Sequence, residues 1–118
     1  MKTILRLSMI FGAFIVLFAS CESIQTPEPV VTNASFSKDI LPIFDGKCAS
    51  CHNGSIAPDL TNANAYSSLM DGGYIDTLNA ESSVLYKAIA QGGAMYSHAN
   101  DVDRAKILKW IQDGAHDN

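Results

Sequence analysis

Apolar residues fall into one dense run near the N-terminus and, beyond a polar stretch, into short clusters at helical spacing. The dense run, Ile10 to Ala19, follows Lys2 and Arg6 and ends in small residues just before Cys21, the pattern of an export leader. It is shorter than the ~20 apolar residues needed to span a bilayer, which counts against a transmembrane anchor. Glu22 to Ser35 is polar, holds Pro27 and Pro29, and shows neither the helical nor the strand period, so it reads as an extended tether. At ~3.1 Å per residue in a polyproline-like state, that tether reaches on the order of 40 Å.

From Phe36 onward the clusters predict an all-α domain of short helices. Phe36, Ile40, Ile43 and Phe44 supply the apolar face of a first segment capped by Ser35 or Ser37, with Pro42 interrupting or kinking the run. Asn62 or Asn64 starts a second helix through Tyr66 and Leu69, ended by Gly72 and Gly73. A third is expected from about Ser82 to Ala90, where Leu85, Ala88 and Ile89 share a face and Gly92 with Gly93 forms the stop. The last is the best marked. Asn100 or Asp101 caps it, Asp101 and Asp103 lie in its first turn and Lys106 and Lys109 follow, matching the helix dipole. Ile107, Trp110, Ile111 and Gly114 fall at i, i+3, i+4 and i+7, a stripe suited to Phe36, Ile40 and Phe44 of the first helix, and Gly114 doubles as the C-terminal breaker. Trp110 reads as core. No strand is strongly signalled; Tyr74 and Ile75 are the candidates for a short extended piece.

A domain this small has a marginal apolar core of its own. That directs attention to Cys48, Ala49, Ser50, Cys51, His52, a Cys-x-x-Cys-His motif of the form that attaches c-type haem. Two thiols three positions apart can form thioethers to the two vinyl-derived carbons of one porphyrin, and the adjacent imidazole reaches the iron as an axial ligand. The competing readings of the pair are a redox dithiol, a disulfide or half a zinc site. There is no alternating strand and helix pattern for a thioredoxin-like site, and no second Cys-x-x-Cys or paired histidines to complete a tetrahedral zinc site. The chain has three cysteines, and an odd cysteine in an exported protein calls for a separate use.

At this motif the chain resembles the small single-haem class I c-type cytochromes, and the resemblance covers about Phe36 to Ala115. It rests on Cys48, Cys51 and His52, on Phe36 to Phe44, Tyr66, Leu69 and Ser83 to Ile89, and on the closing Lys109 to Ala115 stretch. Ala57, Pro58, Asp59, Leu60 is similar to the Gly-Pro-x-Leu segment that follows the haem histidine in that family, with Ala57 in place of glycine. The resemblance implies that the Pro58 carbonyl accepts a hydrogen bond from the His52 nitrogen that is not on iron, raising its donor strength; the alternative is an ordinary loop proline. For the sixth ligand it implies Met95, in the loop between Gly93 and the last helix. The Met-Pro-Pro element of many bacterial relatives is absent, since Tyr96 and Ser97 follow Met95. The other candidates are His98, read as a solvated loop histidine, Met70, read as a core residue, and His116, read as exposed.

Leu17, Phe18, Ala19, Ser20, Cys21 resembles a bacterial lipobox, with Phe18 in place of the commoner small or aliphatic residue. Cys21 would then be lipidated at its thiol after cleavage. The expected organisation is a leader over 1–20, a lipidated cysteine and tether over 21–35, and a cytochrome c-like haem domain of four or five short helices over 36–118. Several acyl chains hold a protein on a membrane where one alone is marginal. Losing Lys2 and Arg6 with the leader takes the formal charge two units below its value of −4, which disfavours nucleic-acid binding.

The resemblance implies an exported electron carrier rather than an enzyme, with one covalent haem c, redox proteins as partners and the periplasmic side of a membrane as location. Two-centre haem peroxidases need a second attachment motif, and this chain has one. Glu22 is not the aspartate that in some enteric bacteria retains lipoproteins at the inner membrane, which favours the outer membrane. The alternatives are a haem-based sensor of small ligands and an electron-entry module of a larger respiratory complex.

Overall fold

The computed structural model describes residues 27 and 29–118; residues 1–20, read as a leader, and Cys21, read as the lipidation site, lie outside the described residues. Those residues form helices and connecting loops with no strand among them, so the all-α expectation holds, and Tyr74 and Ile75 form no strand. No helix among the described residues is long and apolar enough to cross a membrane.

The first helical segment opens as a π-helical turn over Phe36–Ile40 and continues as α1, Leu41–Lys47. Pro42 explains the change of pitch. It has no N–H to donate and its ring crowds the carbonyl four residues back, so a wider preceding turn lets the helix pass through the proline. Ser35 caps the segment: its hydroxyl accepts from the Lys38 N–H at 3.4 Å, and the Asp39 carboxylate accepts from the Ser35 N–H at 3.0 Å.

The middle helices are short, α2 over Ala65–Asp71 and α3 over Val84–Ile89. Helices of this length have no independent stability in water and persist by burying a face. Here Ala65, Leu69, Leu85 and Ile89 are buried. The third helix starts later than expected. Ala80–Ser82 forms a separate 3₁₀ turn, and the buried Ser83 hydroxyl accepts the Asp76 N–H at 2.8 Å, which commits that residue to the loop instead of the helix. Asn64 precedes α2 without capping it; its side-chain amide donates to Asp59 at 2.8 Å.

The last helix, α4 over Asp101–Gln112, is capped by Asn100, the first of the two candidates, and Asp101 is its first residue. The Asn100 side chain accepts from the Asp103 N–H at 2.9 Å and the Asp103 carboxylate accepts from the Asn100 N–H at 3.0 Å, a reciprocal capping box. At the other end Gly114, with φ of 100°, turns the chain. The Gly114 N–H donates to Ile111 O at 3.0 Å and the Ala115 N–H to Trp110 O at 2.9 Å, the paired bonds of a Schellman motif. Gly114 therefore lies beyond the helix rather than on its stripe.

The stripe meets the first helix as expected. Trp110 and Phe36 have ring centroids 5.1 Å apart, Tyr66 joins from α2 at 5.2 Å from Phe36, and Phe44 lies at 6.4 Å. The polar atoms of this cluster are satisfied by the C-terminal segment: Trp110 Nε1–H donates to His116 O at 2.9 Å and the Tyr66 hydroxyl to Ala115 O at 3.1 Å. Val31 and Ala34, in the stretch read as tether, pack against the same core.

Asp39 ties the first helix to α4, accepting from Lys106 Nζ at 3.1 Å as well as from Ser35. The Ser35 N–H and then Lys106 hold its carboxyl below the usual aspartate range. A lowered folded pKa adds stability that is complete above the unfolded value and is lost as pH falls through the folded one. Asp39→Asn is therefore expected to lower the urea midpoint at neutral pH and to flatten its fall below about pH 4. Solvent screening limits the difference to about 1 kcal/mol or less. Parallel pH dependences in parent and variant would refute this.

Candidate functional site

The Cys-x-x-Cys-His motif begins where α1 ends. The Cys48 and Ala49 N–H groups both donate to Phe44 O at 2.8 Å, and the Cys51 and His52 N–H groups donate to Cys48 O at 3.1 and 2.9 Å. The motif thus winds through one helical turn, and residues at i, i+3 and i+4 of such a turn share a face. Cys48, Cys51 and His52 are brought together in this way. Both thiols are free; Cys48 is half-buried against the core and Cys51 is exposed. Burial, and after it the nearby Asp103 carboxylate, pushes the Cys48 thiol pKa up, against a smaller opposing effect of Lys47.

His52 is oriented by the loop that follows it. Its Nδ1 lies 3.2 Å from the Pro58 carbonyl oxygen and 3.2 Å from that of Ile56. Two acceptors facing one ring nitrogen call for a proton there, and in the neutral ring Nε2 then keeps its lone pair. The contact between His52 and Pro58 is the one implied by the family resemblance; the Ile56 carbonyl was not anticipated.

Several bonds hold Pro58 in place. The Leu60 N–H donates to His52 O at 2.7 Å, the Leu60 side chain is buried in the core, and the Asp59 N–H donates to the Ser68 hydroxyl of α2 at 2.8 Å. The Asp59 carboxylate accepts from the Thr61 hydroxyl at 2.7 Å, the Thr61 N–H at 3.0 Å and Asn64. These bonds, the Thr61 hydroxyl foremost, hold its carboxyl below the ordinary range. The Asp-Leu-Thr spacing is a readable turn signal that sequence reasoning passed over.

Met95 lies in the loop between α3 and the last helix. The chain leaves α3 through Gly92, with φ of 84°, and folds back so closely that a Cβ at Gly93 would overlap the Lys87 and Ala88 carbonyl oxygens. The Met95 N–H then donates to Ala88 O at 2.7 Å, and Met95 is 37% exposed. The 3₁₀ turn Tyr96–His98 follows. His98 lines an open cleft of about 450 Å³ with Gly46, Lys47, Ser97, Ala99 and Asn100. That cleft sets the residues just before Cys48 against those just after Tyr96. Lys47 pairs across to Asp103, which is itself buried in the cap of α4.

The remaining candidates are placed as follows. His116 and His98 are exposed, as expected. Met70 is a correction: read as core, it lies in the last turn of α2 and is 38% exposed, because Ala65 and Leu69 occupy the buried face of that short helix. Ile56 is also exposed, at 56%. No group of three or more His, Cys, Asp or Glu side chains able to hold a metal ion occurs among the described residues.

No known protein family, curated protein or solved structure matches this chain.

Proposed function

We propose that this chain is a membrane-tethered single-haem c-type cytochrome, with a small class I cytochrome c-like fold, that transfers single electrons and is not a catalyst on its own. The observation that carries the reading is the pairing of two free thiols with an imidazole on one turn, its Nδ1 directed at the Pro58 carbonyl. The donor set fits a covalent haem. Cys48 and Cys51 would form the two thioethers, His52 Nε2 would be the proximal ligand and the Met95 thioether the distal one. The Pro58 and Ile56 carbonyls fix the ring and its tautomer. A haem bound there supplies the ferrous and ferric states of the carrier. A neutral thioether from Met95 together with the His52 imidazole would favour the ferrous state relative to two imidazoles.

Lipid on Cys21 would anchor the domain, outer membrane favoured, facing the periplasm or the cell surface. Redox proteins would dock transiently through a small interface.

Absorption spectra of the exported, haem-loaded protein in both redox states, out to the near-infrared, test the reading. A low-spin covalent haem with a sulfur-to-ferric-iron charge-transfer band is expected. Met95→Ala should abolish that band and give the ferrous protein rapid carbon monoxide binding that the parent lacks. A high-spin parent would point instead to an open iron and ligand sensing. An unchanged spectrum and binding rate in the variant would eliminate Met95 as a ligand.

A further inference from the structure

Arg104 makes an unusual set of contacts for a surface helix. It lies in the first turn and a half of α4, yet its side chain is only 13% exposed and reaches back to Tyr96 and Ala99, before the helix, and to Asp101 at its first position. Its Nη1 donates to the Ala99 carbonyl oxygen and, at 3.2 Å, to that of Tyr96. The guanidinium carbon lies 4.3 Å from the centroid of the Tyr96 ring. Nη2 reaches Asp101, but that carboxylate is 80% exposed and such a pair contributes little by itself. A mostly buried cation directed at loop carbonyls and a ring face holds the loop more than it holds the helix.

The loop is short and needs holding on that side. Upstream of Met95, the bond from its own N–H to Ala88 fixes it to α3. Downstream, Tyr96 is exposed at 42%, and the 3₁₀ turn Tyr96–His98 buries no residue of its own. Little apolar burial resists opening there, and a segment with few buried contacts opens locally at low free energy. Arg104 bridges Tyr96, Ala99 and Asp101.

We propose that Arg104 is the positioning residue for the distal ligand: it clamps residues 96–99 on α4 and so sets how often the Met95 side chain swings away from its place. This rests on the haem reading above. Lysine is not an equivalent, because a single ammonium cannot bond both carbonyls in a plane while lying flat on the ring.

The test uses the exported, haem-loaded full chain as parent, Arg104→Ala, Arg104→Lys and Tyr96→Leu. It reads the near-infrared sulfur-to-iron band, the ferrous carbon monoxide association rate and amide hydrogen exchange over 95–99. With the parent closed, association is limited by the fraction of molecules whose loop is open. Arg104→Ala should raise that rate about tenfold or more and speed exchange at 96–99, with exchange in the first helix and α2 unchanged. Arg104→Lys should recover only part of the difference. Tyr96→Leu, which removes only the ring and keeps the fold safe, should give a smaller increase of the same kind. A parent showing the band, with carbon monoxide rate and loop exchange unchanged in the Arg104 and Tyr96 variants, overturns the proposal alone. A lower unfolding midpoint with an unchanged rate makes Arg104 merely structural and overturns it too. A parent without the band overturns the Met95 reading and the proposal with it.

Discussion

Trp110→Ala is expected to cost the domain about 3–5 kcal/mol, the range for removing a large aromatic side chain from a core. Total stabilities of small domains are about 5–15 kcal/mol, so the loss approaches the whole of it. The size of the effect comes from position. Trp110 is 1% exposed and contacts Phe36 of the first helix and Tyr66 of α2, so it joins three helices. Its Nε1–H also holds His116 O, next to the Ala115 carbonyl held by Tyr66. Alanine would leave a cavity between the helices and free the C-terminal segment from both bonds. Trp110→Phe should lose less, about 1–2 kcal/mol, keeping the ring contacts but leaving the His116 carbonyl without its donor. Urea denaturation of the purified protein measures both, and a loss under about 1 kcal/mol for alanine would show that the aromatic junction does not hold the helices.

On the proposed haem reading, Cys48→Ser combined with Cys51→Ser should abolish covalent haem altogether, read as haem staining on a denaturing gel after export with the attachment machinery. Each single variant should retain one thioether and a reduced yield. The two positions differ in setting: Cys48 is half-buried with its thiol pKa pushed up by burial, and Cys51 is exposed. Cys51 is the easier of the two for an attachment enzyme to reach, and Cys51→Ser is accordingly expected to show the lower yield. Stain persisting in the double variant would place attachment elsewhere, and an unstained parent would return the pair to a redox dithiol.

The features legible in the sequence are those with local causes. Asn100 and Asp103 bracket the start of α4 because the capping box is closed within four residues, and Gly114 ends it because a left-handed turn needs no Cβ. The apolar spacing of Ile107, Trp110 and Ile111 identified the buried face of α4. Pro42 was readable as a disturbance but not as a π turn, since the choice between kink and wider pitch depends on what the flanking Ile40 and Phe44 pack against. Met70 was misjudged for a related reason. In a helix of two turns a small rotation decides which apolar residue is buried, and the neighbours make that decision.

By itself, then, the sequence determined the helical class, the cap chemistry and the spacing of Cys48, Cys51 and His52, all of which are properties of a few consecutive residues. Only the tertiary structure decided that Nδ1 of His52 meets the Ile56 and Pro58 carbonyls, that Asp103 receives Lys47, and that Arg104 closes over the loop after Met95. Each of these joins residues whose proximity depends on how loops return to the helix bundle. Hydrogen bonds and ion pairs act over a few ångströms, and distance along the chain does not report distance in space.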